Sequence, residues 1–210
     1  MAGRFRGFPA EAITFFKDLG RHNNREWFLT HKAVYERACR GPMSDLLEDL
    51  GPRLGAGKIS RINRDIRFSA DKSPYRTHIS AGIGGHYIAL SKDGLYVGAG
   101  IYKPEPPALQ RFREAIATDA SGRQLQQIIT SLRRKGYRVD THARLTGAPR
   151  GYPADHPRIE LLQMKDIFGG KQFAPARWVS TSQALGRVTH VITDLGPLRD
   201  WLRRHVGSRQ

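Results

Sequence analysis

The chain has 210 residues, of which 35 are basic and 19 acidic, so its formal net charge is +16 at pH 7. This length predicts a single domain over residues 1–210 with an ordered core over about 8–206, and a hydrophobic content of 39% argues against extensive disorder. The only cysteine, Cys39, excludes an intramolecular disulfide and a cysteine-based zinc site.

The N-terminal part predicts helices. Apolar residues at helical spacing indicate a first helix over Phe8–Leu19. Asn23, with Glu26 three residues later, has the spacing of a capping box and predicts the start of a second helix. Gly41–Pro42 is expected to break that helix and start a third, which Gly51–Pro52 should end.

The central part predicts strands. Ile62–Phe68 has apolar residues at alternate positions, which is typical of a strand with one buried face. The stretches His78–Ile83, Tyr87–Leu90 and Leu95–Ile101 also read as strands, and Asp93-Gly94 favours a hairpin between the last two.

Helical spacing returns after the strands. Helices are predicted around residues 109–116 and 125–132, the second capped by Ser121, and two more over Ser182–Leu195 and Pro197–Val206. Helices before and after a block of hairpin-linked strands predict an α+β fold, with a largely antiparallel sheet covered by N-terminal and C-terminal helical segments.

The most unusual stretch is "RINRDIRFSADKSPYR", residues Arg61–Arg76. As a strand, it directs Ile62, Ile66 and Phe68 to the core and leaves Arg64 on the same apolar face. A buried guanidinium needs a partner because an unpaired buried charge costs several kcal/mol. Asp71, across the turn, is the expected partner of Arg64.

The same stretch is a candidate anion site. Arginine donates two parallel hydrogen bonds to a phosphate or carboxylate, and the turn around Lys72, Ser73 and Pro74 offers backbone N–H groups to phosphate oxygens. The structural alternative is an ion-pair network that only holds the strand and turn in place.

The predicted strands carry glycine on one face, at Gly82, Gly98 and Gly100. Either a helix packs closely on this face or a ligand approaches the backbone between His78, Tyr96 and Tyr102.

Several motifs together resemble the domain of unknown function 2461 family, found in bacteria and fungi. They are, in this order, "FFKDLGRHNNREWFLTHKAVYE", "RINRDIRFSADKSPYRTHI", "YVGAGIYKPEP", "PRGYPADHP" and "LLQMKDIF". The resemblance covers nearly the whole chain, from Phe8 to about Leu202. The resemblance implies membership but no reaction. It also implies that polar and aromatic residues of these motifs, among them Arg25, Tyr102 and Lys165, belong to a site.

The leading hypothesis is therefore an anion-binding pocket for a phosphate-bearing small molecule or a nucleotide. Its ligand-binding residues are Arg25, Arg64, Asp65, Arg67, Asp71, Lys72, Tyr75, Tyr102 and Lys165. Four basic or aromatic residues form the pocket, the two aspartates orient the basic groups, and Arg25, Tyr102 and Lys165 close the rim. If the chain is an enzyme, Asp71 or His78 is the expected proton carrier.

Two other hypotheses stay open: a nucleic-acid-binding protein, which the net charge favours, and a structural or adaptor protein. No metal or cofactor is expected, since the sequence has no metal-ligand motif with suitable spacing. The N-terminus lacks the apolar run of a signal peptide, and no stretch is long enough to span a bilayer. The chain is therefore expected to be cytoplasmic, without a membrane partner.

Overall fold

The computed structural model describes residues 4–67 and 70–207. Its strands are β1 (Lys58–Ile59), β2 (His78–Ile83), β3 (His86–Ser91), β4 (Gly94–Ile101), β5 (Arg138–Asp140) and β6 (Ile167–Phe173). Its α-helices are α1 (Ala10–Arg21), α2 (Arg25–Val34), α3 (Gly41–Leu54), α4 (Pro106–Ala117), α5 (Asp119–Arg134), α6 (Ile159–Leu162) and α7 (Gln183–His205).

Within the described residues the strands form one six-stranded antiparallel sheet in the order β1-β2-β3-β4-β6-β5. In the register of β2 and β3, His78 lies opposite Ser91 and Ile83 lies opposite His86. The connection between these strands is Gly84-Gly85, and both glycines have positive φ. A two-residue hairpin with positive φ at both positions needs residues without a side-chain clash, which explains the glycine pair. The α+β prediction is confirmed.

By its contacts the described chain divides into two compact units. The first comprises residues 4–97 and 172–190, and the second comprises residues 98–171 and 191–207. The prediction of a single domain stays a prediction.

The first unit packs the faces of α1 and α3 against the sheet. Phe16 and Leu19 of α1, Leu46 of α3, and Ile79 and Ile88 of the strands are all buried. Burying large apolar side chains contributes about 1.5–3 kcal/mol each, so this face supplies the main stabilisation of the unit. The second unit has its own buried apolar residues, which include Phe112, Leu125, Ile129, Leu195 and Trp201.

The predicted helix breaks at prolines are wrong. The backbone stays helical through a π-helix, Tyr35–Arg40, and Pro42 then lies in the first turn of α3. Proline is tolerated there because a first-turn N–H has no intrahelical acceptor. Pro52 lies inside α3, which ends only before Gly55, whose φ of 82° closes the helix.

Three further predictions of helix ends are wrong. One helix, α7, replaces the two predicted at the C-terminus, with Pro197 inside it. The helix α5 begins at Asp119 rather than at Ser121, which is buried and donates a hydrogen bond to the backbone carbonyl of Ala115 instead. The helix α1 extends through Gly20 to Arg21. Strands β1 and β6 were not predicted.

The predicted strand Ile62–Phe68 is also wrong. Only one residue of this stretch, Asn63, makes a β-bridge, to Tyr75, in the described part of the chain. Ile62 and Ile66 are half-buried rather than in the core, and Phe68 lies outside the described residues. Apolar residues do alternate in this segment, but two backbone hydrogen bonds to residues 74–76 and side-chain ion pairs hold it in place of a continuous ladder.

Candidate functional site

At the base of the candidate site, two short backbone segments pair with each other; these two arms are residues 62–64 and 74–76. The Arg64 N–H donates to the Pro74 carbonyl over 2.9 Å, and the Arg76 N–H donates to the Ile62 carbonyl over 2.8 Å. These bonds close the charged segment at its base, so the described residues between the arms, 65–67 and 70–73, are held as a loop next to the start of β2.

Asn23 fixes this loop to the helical layer. Its side-chain amide donates to the Tyr75 carbonyl over 2.9 Å and accepts from the Tyr75 N–H over 3.1 Å. The Tyr75 ring stacks on Phe28 of α2, with ring centroids 4.0 Å apart. The prediction that Asn23 caps α2 is therefore wrong: Asn24 is the cap, accepting from the Trp27 N–H. A side-chain amide has both a donor and an acceptor, so Asn23 can bond the C=O and the N–H of Tyr75 at once. The two consecutive asparagines thus have different roles: Asn23 anchors the loop and Asn24 caps α2.

The basic residues of the loop have partners within the loop. Arg64 forms the ion pair with Asp71 that the sequence predicts. The Arg67 guanidinium donates from Nε and Nη2 to the two carboxylate oxygens of Asp65, over 3.0 and 2.7 Å. Lys72 Nζ donates to the Ile66 carbonyl over 3.1 Å. Arg67 nevertheless stays 76% exposed in its side chain.

Both aspartates of the loop are held in the ionised form. The Ser73 hydroxyl, then the Arg64 guanidinium and the Ser73 N–H, donate hydrogen bonds that hold the pKa of Asp71 well below its usual range. Hydrogen bonds from the Arg67 side chain and N–H lower the pKa of Asp65. Each carboxylate therefore neutralises one arginine at neutral pH.

A cavity of about 520 Å³ lies beside the loop in the first unit. Its lining residues are Gly20, Asn23, Arg64, Asp65, Asp71, Ser73, Tyr75, Arg76, Thr77 and His78. The cavity thus brings together five of the predicted residues: Arg64, Asp65, Asp71, Tyr75 and His78.

Arg76 differs from Arg64, the other arginine that lines the cavity. Its Nε is buried, and no hydrogen-bond acceptor or carboxylate pairs with its guanidinium among the described residues. Next to it, burial and the positive charge of Arg76 lower the pKa of His78, so this imidazole is neutral at pH 7. The Tyr87 hydroxyl lies 3.4 Å from His78 Nε2.

The remaining predicted residues lie elsewhere. Arg67 and Lys72 belong to the loop but do not line the cavity, and Arg25 is exposed at the start of α2. Tyr102 and Lys165 belong to the second unit, where Tyr102 is 51% exposed and contacts His142 edge-on.

Sequence reasoning missed Arg76 and the anchoring role of Asn23. A signal for Arg76 was present, since it stands two residues before His78 and alternation places both on one face of an extended chain. No local signal separates Asn23 from Asn24, because the partner of Asn23 is 52 residues away.

The glycine face does not mark a ligand at Gly100. A Cβ on Gly100 would lie 2.3 Å from the Ile167 carbonyl oxygen of the neighbouring strand β6. Close approach of a strand, rather than of a helix or a ligand, therefore requires glycine there.

A family model described as "Conserved hypothetical protein (DUF2461)" matches residues 11–201. The chain belongs to the DUF2461 family. Comparisons of this DUF2461 chain with curated proteins and with solved structures found no match. In residues 4–67 and 70–207 of this member, no group of three or more metal-ligating side chains occurs, and no helix has the length and hydropathy of a membrane span.

Proposed function

We propose that this DUF2461 protein binds a phosphate-bearing small molecule or a nucleotide in the cavity beside the charged loop. The observation that carries the proposal is Arg76, a partly buried guanidinium in the cavity wall without a protein partner in the described chain. A charge in this position is costly unless something compensates it, and a phosphate does so through two parallel hydrogen bonds.

The balance of charge in the cavity wall supports an anionic ligand. Arg64 is offset by Asp71, and Asp65 is offset by Arg67. The lining side chains alone balance, two arginines against two aspartates, but Asp65 is already offset by Arg67, which lies outside the wall. With His78 neutral at pH 7, the positive charge of Arg76 is left over. An anion at Arg76 balances that charge.

Two basic residues of the loop are not direct ligands in this proposal. Arg67 and Lys72 already donate to Asp65 and to the Ile66 carbonyl, and neither lines the cavity. This revises the pocket hypothesis, in which both were direct ligands. Arg25, in the same unit as the cavity, stays a proposed contact, whereas Tyr102 and Lys165 belong to the second unit and are not part of this proposal.

If the bound ligand reacts, His78 is a better proton acceptor than Asp71. A general base works best when its pKa lies near the operating pH. The pKa of Asp71 is far below that range, whereas His78 presents a neutral imidazole to the cavity.

The test is the melting temperature of the full chain with and without sodium phosphate at constant ionic strength. A tenfold excess of phosphate over its Kd stabilises the folded state by about 1.4 kcal/mol, which raises Tm by roughly 3–6 °C in a chain of this size. Arg76→Gln should lose this shift. Arg53→Gln, which removes the same charge from an exposed position of α3, should keep it.

A parallel series with adenosine monophosphate distinguishes a nucleotide site from a phosphate site. If the cavity also contacts the nucleoside, adenosine monophosphate should give the same rise in Tm at a lower concentration than phosphate does. An equal shift in wild type and Arg76→Gln would contradict the proposal and leave the loop as a structural ion-pair network. The pairs Arg64–Asp71 and Arg67–Asp65 support that second candidate.

A nucleic-acid-binding protein is the third candidate, supported by the net charge of +16. Binding along a phosphate backbone weakens steeply with added salt, whereas a cavity that holds one phosphate gives a shallow salt slope. A steep slope for an oligonucleotide, unaffected by Arg76→Gln, would favour it.

A further inference from the structure

The second unit holds a buried carboxylate that the proposed cavity does not use. Asp166, immediately before β6, is 2% exposed. Its Oδ1 accepts from the His142 N–H over 2.8 Å and lies 2.7 Å from the Thr141 hydroxyl. Its Oδ2 lies 3.0 Å from Nδ1 of the His142 ring. A buried carboxylate with this many contacts has a fixed position.

The imidazole of His142 is held on one side and open on the other. Its side chain is 49% exposed, although Nδ1 contacts the buried Asp166. Phe168 and Tyr102 pack against the ring, with centroids at 4.5 and 5.0 Å. In the described part of the chain no hydrogen-bond partner is found for Nε2.

This geometry selects one tautomer of the neutral ring. A carboxylate only accepts hydrogen bonds, so Nδ1 must carry the proton and Nε2 must carry the lone pair. A free histidine side chain has no such constraint. The arrangement is that of a general base whose orientation is set by a buried acid.

We propose that His142 is a proton-transfer residue and that Asp166 is its positioning residue, in a second site at the exposed edge of the His142 ring. The substrate class is a group with an ionisable O–H, a hydroxyl or a water molecule. The O–H bond breaks, the proton bonds to Nε2, and the electron pair stays on the oxygen. This site lies within the second unit and does not depend on phosphate binding in the cavity.

A structural alternative must be separated from this proposal, since Asp166 also holds the backbone turn at residues 141–143. The variant Asp166→Asn distinguishes the two roles. The amide oxygen still accepts from the His142 N–H, so the turn keeps its bond. The amide NH₂ donates to Nδ1 and therefore forces the proton onto Nε2.

The first measurement is the tautomer of His142 in the full chain by ¹⁵N NMR of the imidazole nitrogens at pH 8. We expect the Nδ1–H form in wild type and the Nε2–H form in Asp166→Asn, with the amide spectrum otherwise unchanged. An Nε2–H tautomer in wild type would overturn the proposal, whether or not the variant folds.

The second measurement is turnover of excess p-nitrophenyl acetate at the same pH. A water molecule gives its proton to Nε2 and attacks the ester carbonyl, and p-nitrophenolate leaves with the electron pair of the broken C–O bond. Lysine side chains react only once with the ester, so they do not contribute to turnover.

We expect His142→Gln to lower turnover by about 10-fold or more, as removal of a general base does. The matched control is His22→Gln, because His22 is exposed and has no carboxylate partner among the described residues. Equal turnover in wild type and His142→Gln would overturn the proposal. Equal turnover in wild type and Asp166→Asn, with the tautomer reversed, would overturn the positioning role.

Discussion

Two neighbouring regions of the first unit share a sequence pattern and differ in structure. Residues 61–67 and the strand β2 both place apolar residues at alternate positions. In β2, Ile79 and Ile83 are buried, and the backbone pairs with β1 on one side and β3 on the other. Ile66 is only half-buried, in a loop whose ion pairs take the place of a ladder. Alternation produces a strand only where one face meets a core and the backbone meets a partner.

The largest expected effect is the loss of stability when a buried isoleucine of β2 is truncated, compared with the same change in the loop. Ile79→Ala should lower the free energy of unfolding by about 2–5 kcal/mol, because it opens a cavity in a packed core. Ile66→Ala, the same change in the loop, should cost about 1 kcal/mol or less. Urea denaturation with unchanged m-values measures both. Equal losses would mean that the loop is as tightly packed as the sheet.

The second prediction concerns the anchor of the loop. Asn23→Ala removes both hydrogen bonds to Tyr75 and leaves part-buried backbone groups unpaired, which should cost about 1–3 kcal/mol. Asn24→Ala removes only the cap of α2 and should cost about 1 kcal/mol. Asn23→Ala should also reduce the phosphate-dependent rise in Tm, which Asn24→Ala should leave intact.

The third prediction is an acid dependence that the loop has and the sheet lacks. The pKa of Asp71 is lowered in the folded state from its usual value of 3.8. Its stabilising effect is therefore complete above pH 3.8 and is lost as pH falls from there towards the lowered pKa. Thermal unfolding of wild type and Asp71→Asn from pH 6 to pH 2 should show a flatter acid profile for the variant.

The control for this profile is Asp45→Asn, since Asp45 makes no ion pair among the described residues. It should keep the wild-type acid dependence. If Asp71→Asn and wild type lose stability in parallel below pH 4, the ion pair with Arg64 does not hold the loop.

The smallest expected effect is at Arg67. Its pair with Asp65 is exposed, and exposed ion pairs contribute little. Arg67→Ala should change the free energy of unfolding within about 0.5 kcal/mol. Because Arg67 does not line the cavity, the phosphate-dependent rise in Tm should persist, and its loss would return Arg67 to the set of direct ligands.

The sequence alone determined much of the fold. Strand β2 was predicted with its observed bounds, and β3 and β4 to within one residue, because their apolar residues fall at alternate positions between turn-forming residues. Five of the predicted site residues line one cavity, and the Arg64–Asp71 pair was predicted because a part-buried guanidinium needs a nearby acid.

Only the tertiary structure decided which residues meet across long stretches of chain. Asn23 bonds to Tyr75, 52 residues away, and Asp166 contacts His142, 24 residues away. Residues 62–67 form a loop rather than a strand because their backbone pairing, among the described residues, is limited to the single bridge of Asn63 with Tyr75. Periodicity reports which side of a segment is apolar, but hydrogen-bond partners depend on where the rest of the chain comes to lie, and that is set by packing of the whole core.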